Sequence, residues 1–88
     1  MKIKEGFVLR EVAGSNVVVA VGKASLSFKG LVNLNETGTF LFKELEKGVE
    51  SEEELVLKLI NAYDVDEFRA TEDVNAFLRE LKGAGIIE

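Results

Sequence analysis

The sequence predicts an α+β fold: a small antiparallel sheet packed on three helices. Three observations predict it. The pattern changes at Leu34-Asn35, from short strand-like runs to amphipathic runs of helical period. Each helical run is opened by a residue suited to capping a helix N-terminus: Asn35, Ser51 and Asp66. The chain has 88 residues and an apolar share of 47%, enough for one domain with its own modest core. We therefore expect one domain over residues 1–88, with strands over about 7–34 and helices over about 36–83.

Phe7-Val8-Leu9-Arg10-Glu11-Val12 has strand composition, and Ala13-Gly14-Ser15-Asn16 is a turn signal. The run from Asn16 to Val21 carries Val17, Val18, Val19 and Val21, so the two runs read as a hairpin. Valine on both faces marks the second strand as central. Gly22-Lys23-Ala24 turns the chain. Leu26 and Phe28 then alternate with Ser25, Ser27 and Lys29, the pattern of a half-buried edge strand. Gly30 reads as a bulge or bend, and Leu31 to Leu34 completes the strand. With no proline in the chain, this edge keeps every N–H, and its visible protection against pairing is Lys23 and Lys29.

Asn35 caps the first helix and Glu36 places charge at the positive end of its dipole. Phe40, Leu41 and Leu45 share one stripe with Thr37 beside it, and Gly48 closes the helix. Phe40 and Phe42 lie about 200° apart around the axis, so one can face the bundle and the other the sheet. Ser51-Glu52-Glu53-Glu54 is a capping box. Leu55, Val56, Leu59, Ile60 and Tyr63 form the stripe of the second helix, which Asp64-Val65-Asp66 ends. Ala70, Val74, Phe77, Leu78 and Leu81 form that of the third. Gly83 and Gly85 close it, and Ile86-Ile87 folds back onto the core.

The inventory of side chains narrows the function. There is no cysteine and no histidine, which removes disulfides, thiolate nucleophiles, the usual zinc sites and histidine acid–base chemistry. No calcium-loop spacing and no phosphate-cradling glycine loop is present, so we expect neither metal nor cofactor. Pairs such as Asp64/Asp66 and Glu72/Asp73 fall at helix boundaries and surfaces, where solvated acids are the common case. No run approaches a membrane span or a signal peptide, so a cytoplasmic protein without membrane contact is expected. The net charge is −5 and is unevenly placed. Residues 1–34 carry five basic and two acidic side chains, whereas residues 35–88 carry six basic and fourteen acidic ones. Helices that open with Ser51-Glu52-Glu53-Glu54 and Asp66-Glu67 would meet DNA with carboxylates, so nucleic acid is not the expected partner.

Leu34-Asn35-Glu36-Thr37-Gly38 entering a helix, with Phe42 inside it, begins a series of short patterns. Glu52-Glu53-Glu54-Leu55, Tyr63-Asp64-Val65-Asp66, Asp73-Val74, Phe77-Leu78, and Leu81 before a closing Gly-Ile-Ile follow in order. In their order and spacing the chain resembles PqqD, the coenzyme PQQ synthesis protein D, and the wider set of PqqD-like peptide-recognition domains. It departs from that pattern at Phe42, where many relatives carry tryptophan. The resemblance implies a winged-helix-like fold, a three-stranded antiparallel sheet on a three-helix bundle. It also implies a non-catalytic role: capture of the leader segment of a ribosomally synthesised precursor peptide, and its presentation to a modifying enzyme, often a radical S-adenosylmethionine protein. The leader would add as a strand to the third strand and rest on the third helix.

The segment from Phe28 to Leu34 has what strand addition needs: an unpaired edge and an apolar neighbourhood. The residues singled out for peptide binding are Leu31, Val32 and Asn33 on the strand and Asp73, Val74 and Phe77 on the helix. Val74 and Phe77 sit centrally in an apolar stripe, where a core role is the competing reading. Asp73 lies on its flank, where water is the competing partner. The alternative for the whole chain is a self-associating or protein-interaction domain, with a homodimer formed through the same edge.

Overall fold

The computed structural model describes residues 1–28 and 30–87. Its elements run β1 (Phe7–Val12), β2 (Ser15–Ala20), α1 (Ala24–Ser27), β3 (Leu31–Leu34), α2 (Glu36–Lys47), α3 (Glu52–Tyr63) and α4 (Glu67–Gly83). The sheet is antiparallel with order β1-β2-β3, so the valine-rich strand is central and β3 lies at an edge. The hairpin loop has only two residues. Ala13 and Gly14 both take positive φ, 52° and 83°, as a two-residue turn matched to sheet twist requires. Ser15 thus joins Asn16 in β2 rather than the turn.

One strand expectation fails. Residues 24–27 form a single helical turn, not the start of an edge strand. Ser25 Oγ donates to the Gly22 carbonyl at 2.7 Å, and Phe28 N–H donates to the Ala24 carbonyl at 3.0 Å. Leu26 is consequently exposed, while Phe28 packs edge-on against Phe7 with ring centroids 5.3 Å apart. Gly30, at φ 108°, redirects the chain into a β3 of four residues. Of the two expected edge guards, Lys23 stands at the N-terminal boundary of the helical turn and Lys29 lies outside the described residues.

The three long helices begin where their caps predict. Asn35 Oδ1 accepts from Gly38 N–H at 2.8 Å, Ser51 Oγ from Glu54 N–H at 3.2 Å, and Asp66 Oδ1 from Arg69 N–H at 2.8 Å. The capping box closes one residue early, since the Glu54 carboxylate accepts from Glu50 N–H at 2.9 Å. The core joins Val18 of the sheet to Leu41, Phe42 and Leu45 of α2, Leu55, Val56 and Leu59 of α3, and all five expected residues of α4. Ile86 and Ile87 close it from below, with Ile86 N–H donating to the Leu81 carbonyl at 2.9 Å. Phe42 is wholly buried. Phe40 is half-buried and meets Tyr63 edge-on at 5.4 Å.

Glu44 ties α2 to α3. Its carboxylate accepts from Lys47 Nζ at 3.1 Å and lies 3.4 Å from Lys58 Nζ on the neighbouring helix. The hydrogen bond from Lys47, aided by both lysine charges and opposed by burial, holds its pKa below the usual glutamate value. A depressed folded-state pKa contributes stability that is complete above the unfolded value and is lost as pH falls through the folded one. Unfolding followed across pH 7 to 3 should therefore show an acid-side loss that Glu44→Gln reduces. An identical acid limb in the variant would remove Glu44 from the account.

Candidate functional site

The site is built from the main chain of β3 and the exposed margin of α4. A two-residue loop makes Val12 and Ser15 a hydrogen-bonded pair. At the far end of the hairpin, Val21 N–H donates to the Gly6 carbonyl at 2.7 Å, which has the same parity. Bonded and non-bonded pairs alternate along an antiparallel ladder. Ser15, Val17 and Val19 thus direct their main-chain groups at β1, and Asn16 and Val18 direct theirs at β3. The partners of Asn16 and Val18 are Leu34 and Val32. It follows that Val32 N–H is engaged within the sheet, while the N–H and C=O of Leu31 and Asn33 point away from it.

The side chains sort by the same register. Directly opposed residues share a face. Val18 belongs to the core, so Val32 and Leu34 face the helices, and both pack on the core. Leu31 and Asn33 lie on the opposite face and are exposed, Leu31 at 51%. These two contribute an open main-chain edge rather than side chains to the helix side.

Beside that edge lies a groove of ≈ 200 Å³ between the β3–α2 junction and α4. Leu34, Leu41, Ala76 and Phe77 supply its apolar lining, and Asp73 and Glu80 its charged rim. Thr37 and Gly38 border it in the first turn of α2. A Cβ on Gly38 would stand 3.0 Å from the Asn35 capping oxygen, so this wall stays low. Asp73 and Phe77 therefore meet in the groove. Val74 does not line it: the residue is wholly buried and seats α4 on the core from beneath. Sequence reasoning missed Leu34, Leu41, Ala76 and Glu80. Residues 73, 76, 77 and 80 follow the three- and four-residue steps of one helix face, so Asp73 with Phe77 already pointed to the other two.

Asp73 is half-buried, and Arg69 Nε approaches its Oδ1 at 3.3 Å. Glu80 has no ion-pair partner among the described residues. A second, wider depression of ≈ 650 Å³ opens at the hairpin end of the sheet, lined by Asn16, Asn33, Asn35, Glu36, Phe40 and Tyr63 among others. Burial and the nearby Glu36 carboxylate push the Tyr63 phenol pKa up, so it stays a neutral hydroxyl. Thr39 Oγ1 lies buried next to this depression with no hydrogen-bond partner among the described residues. Among the described residues no three metal-ligating side chains come together, and no helix is long and apolar enough to cross a membrane.

Among curated protein sequences nothing matches this chain. Two solved structures share its fold. TbiB1 in complex with the TbiA(β) leader peptide is 25% identical, covers 100% of this chain and 95% of its own, and superposes with a TM-score of 0.77. Lasso peptide synthetase B1 complexed with the leader peptide is 19% identical, over 97% of this chain and 93% of its own, with a TM-score of 0.72. The family model for coenzyme PQQ synthesis protein D matches residues 7–87, spanning every strand and helix described, and the chain thus belongs to the PqqD family.

Proposed function

We propose that this protein is a leader-peptide-binding partner in the maturation of a ribosomally synthesised peptide, and not itself a catalyst. The leader segment adds to β3 as a fourth strand and rests its inward side chains in the groove against α4. The enzyme it serves is a peptide-modifying enzyme, for which a radical S-adenosylmethionine protein is our first choice. The observation that carries this reading is the coincidence of an open edge at Leu31 and Asn33 with an apolar groove ending at Phe77. The leader complex of TbiB1, a protein of similar fold and length, supports it.

Strand addition at so short an edge offers at most two donors and two acceptors. A main-chain hydrogen bond contributes only about 0.5–1.5 kcal/mol net. Discrimination among peptides must therefore come from the groove, through Leu34, Asp73, Ala76 and Phe77. Titrating labelled protein with the N-terminal half of a small peptide encoded beside its gene tests this directly. Amide shifts should concentrate on residues 31–34 and α4. Shifts confined to other elements would reject the site. Light scattering separates the competing use of the edge: a homodimer through β3 would dissociate as peptide is added.

A further inference from the structure

Among the described residues, every charged group that lines the groove is a carboxylate. Asp73 and Glu80 stand two helical turns apart, about 10 Å along α4, with Ala76 and Phe77 between them. From these features we infer that the leader segment is basic where it meets α4: an apolar residue over Ala76 and Phe77, flanked two positions away by lysine or arginine. This inference rests on the strand-addition reading and gives the leader's chemistry at that same site.

The register supplies the spacing. A peptide added antiparallel to β3 would bond to Leu31 and Asn33 and point those side chains to the outer face. The peptide residues opposite Val32 and Leu34 would point inward, toward α4. Inward positions recur every second residue, about 6.6–6.8 Å apart. One such position fits the short apolar floor, and its inward neighbours lie near the two carboxylates, within reach of a long basic side chain. Lysine and arginine suit these places because their aliphatic stems can lie on the groove wall while the charged heads reach its rim. The Arg69–Asp73 contact does not cancel the effect. It is a single exposed pair, and Arg69 is mostly solvent-accessible. A leader with glutamate at the flanking positions would meet like charge in a chain whose residues 35–88 are already strongly acidic.

Three short threonine-rich peptides test the idea, with alternate central positions carrying Lys-Leu-Lys, Gln-Leu-Gln or Glu-Leu-Glu. Their affinities are measured by fluorescence anisotropy at low and high salt, and amide shifts map where each one binds. The cationic peptide should bind at least tenfold more tightly than the acidic one at low salt, and the gap should shrink as salt rises. In the double variant Asp73→Asn, Glu80→Gln that ratio should fall to within about twofold. Equal binding of all three peptides with shifts on residues 31–34 would overturn the charge inference and leave strand addition standing. A ratio unchanged in the double variant would also overturn it. Shifts absent from residues 31–34 with all three would overturn both.

Discussion

Phe42→Ala should be the most damaging single truncation in this chain. Phe42 is wholly buried within the cluster that joins α2 to the sheet and the other two long helices. Removing a buried phenylalanine side chain costs about 3–5 kcal/mol, part for lost transfer and part for the cavity left behind. A chain of this size has a total stability on the order of 5–10 kcal/mol. The melting midpoint should fall by more than about 10 °C, since each kcal/mol moves it by about 4–8 °C in a small domain. Phe40→Ala should cost markedly less, because Phe40 is half-buried and its main aromatic partner is Tyr63. Chemical unfolding of both variants checks the order. A Phe42→Ala protein that melts like the parent would mean that α2 presents a different face to the core.

The difference between those two phenylalanines also marks how far sequence reasoning reaches. Helical period places them on different sides of α2, but it does not say which side is wetter. That depends on where α3 ends, and Tyr63 sits at its last turn. Helix boundaries were legible because a cap is local chemistry: Asn35, Ser51 and Asp66 each bond within three residues. The central strand was legible because valine on both faces has few other uses. Residues 24–28 were misread because two apolar side chains two apart are too few to define a period. Phe28 owes its burial to a contact with Phe7, twenty-one residues away.

The candidate site was legible in outline and not in register. Asp73 and Phe77 were singled out because the resemblance implies a peptide resting on the third helix, whereas Leu34 enters the groove only because β3 ends where α2 begins. Val74 shows the converse: the centre of an apolar stripe belongs to the core, and the groove lies along its flank. Which main-chain groups of β3 are open was beyond sequence reasoning altogether. It follows from the two-residue loop between Val12 and Ser15, whereas the sequence reads Ser15 as part of the turn and leaves the loop length open. Parity is a consequence of closure geometry rather than of any β3 side chain.

That parity makes a paired prediction with a large expected effect on binding. Asn33→Pro should abolish most peptide capture and leave the fold standing. It removes one of only two outward donors and places a ring where the added strand must approach. An edge strand tolerates proline when the lost N–H faces away from its neighbour, and Val32, the residue before it, is already in strand conformation. The lost bond and the carbonyl left unpaired on the peptide together amount to a few kcal/mol, so affinity should fall on the order of a hundredfold. Val32→Pro should do something different. It deletes a ladder bond to Val18, a wholly buried residue, and should lower the melting temperature before binding is considered. Circular dichroism melts and a peptide titration on the two variants decide the matter. Asn33→Pro binding like the parent would move the peptide off this edge. A stable Val32→Pro protein that has lost binding would reverse the parity and make Val32, not Asn33, the residue whose N–H meets the leader.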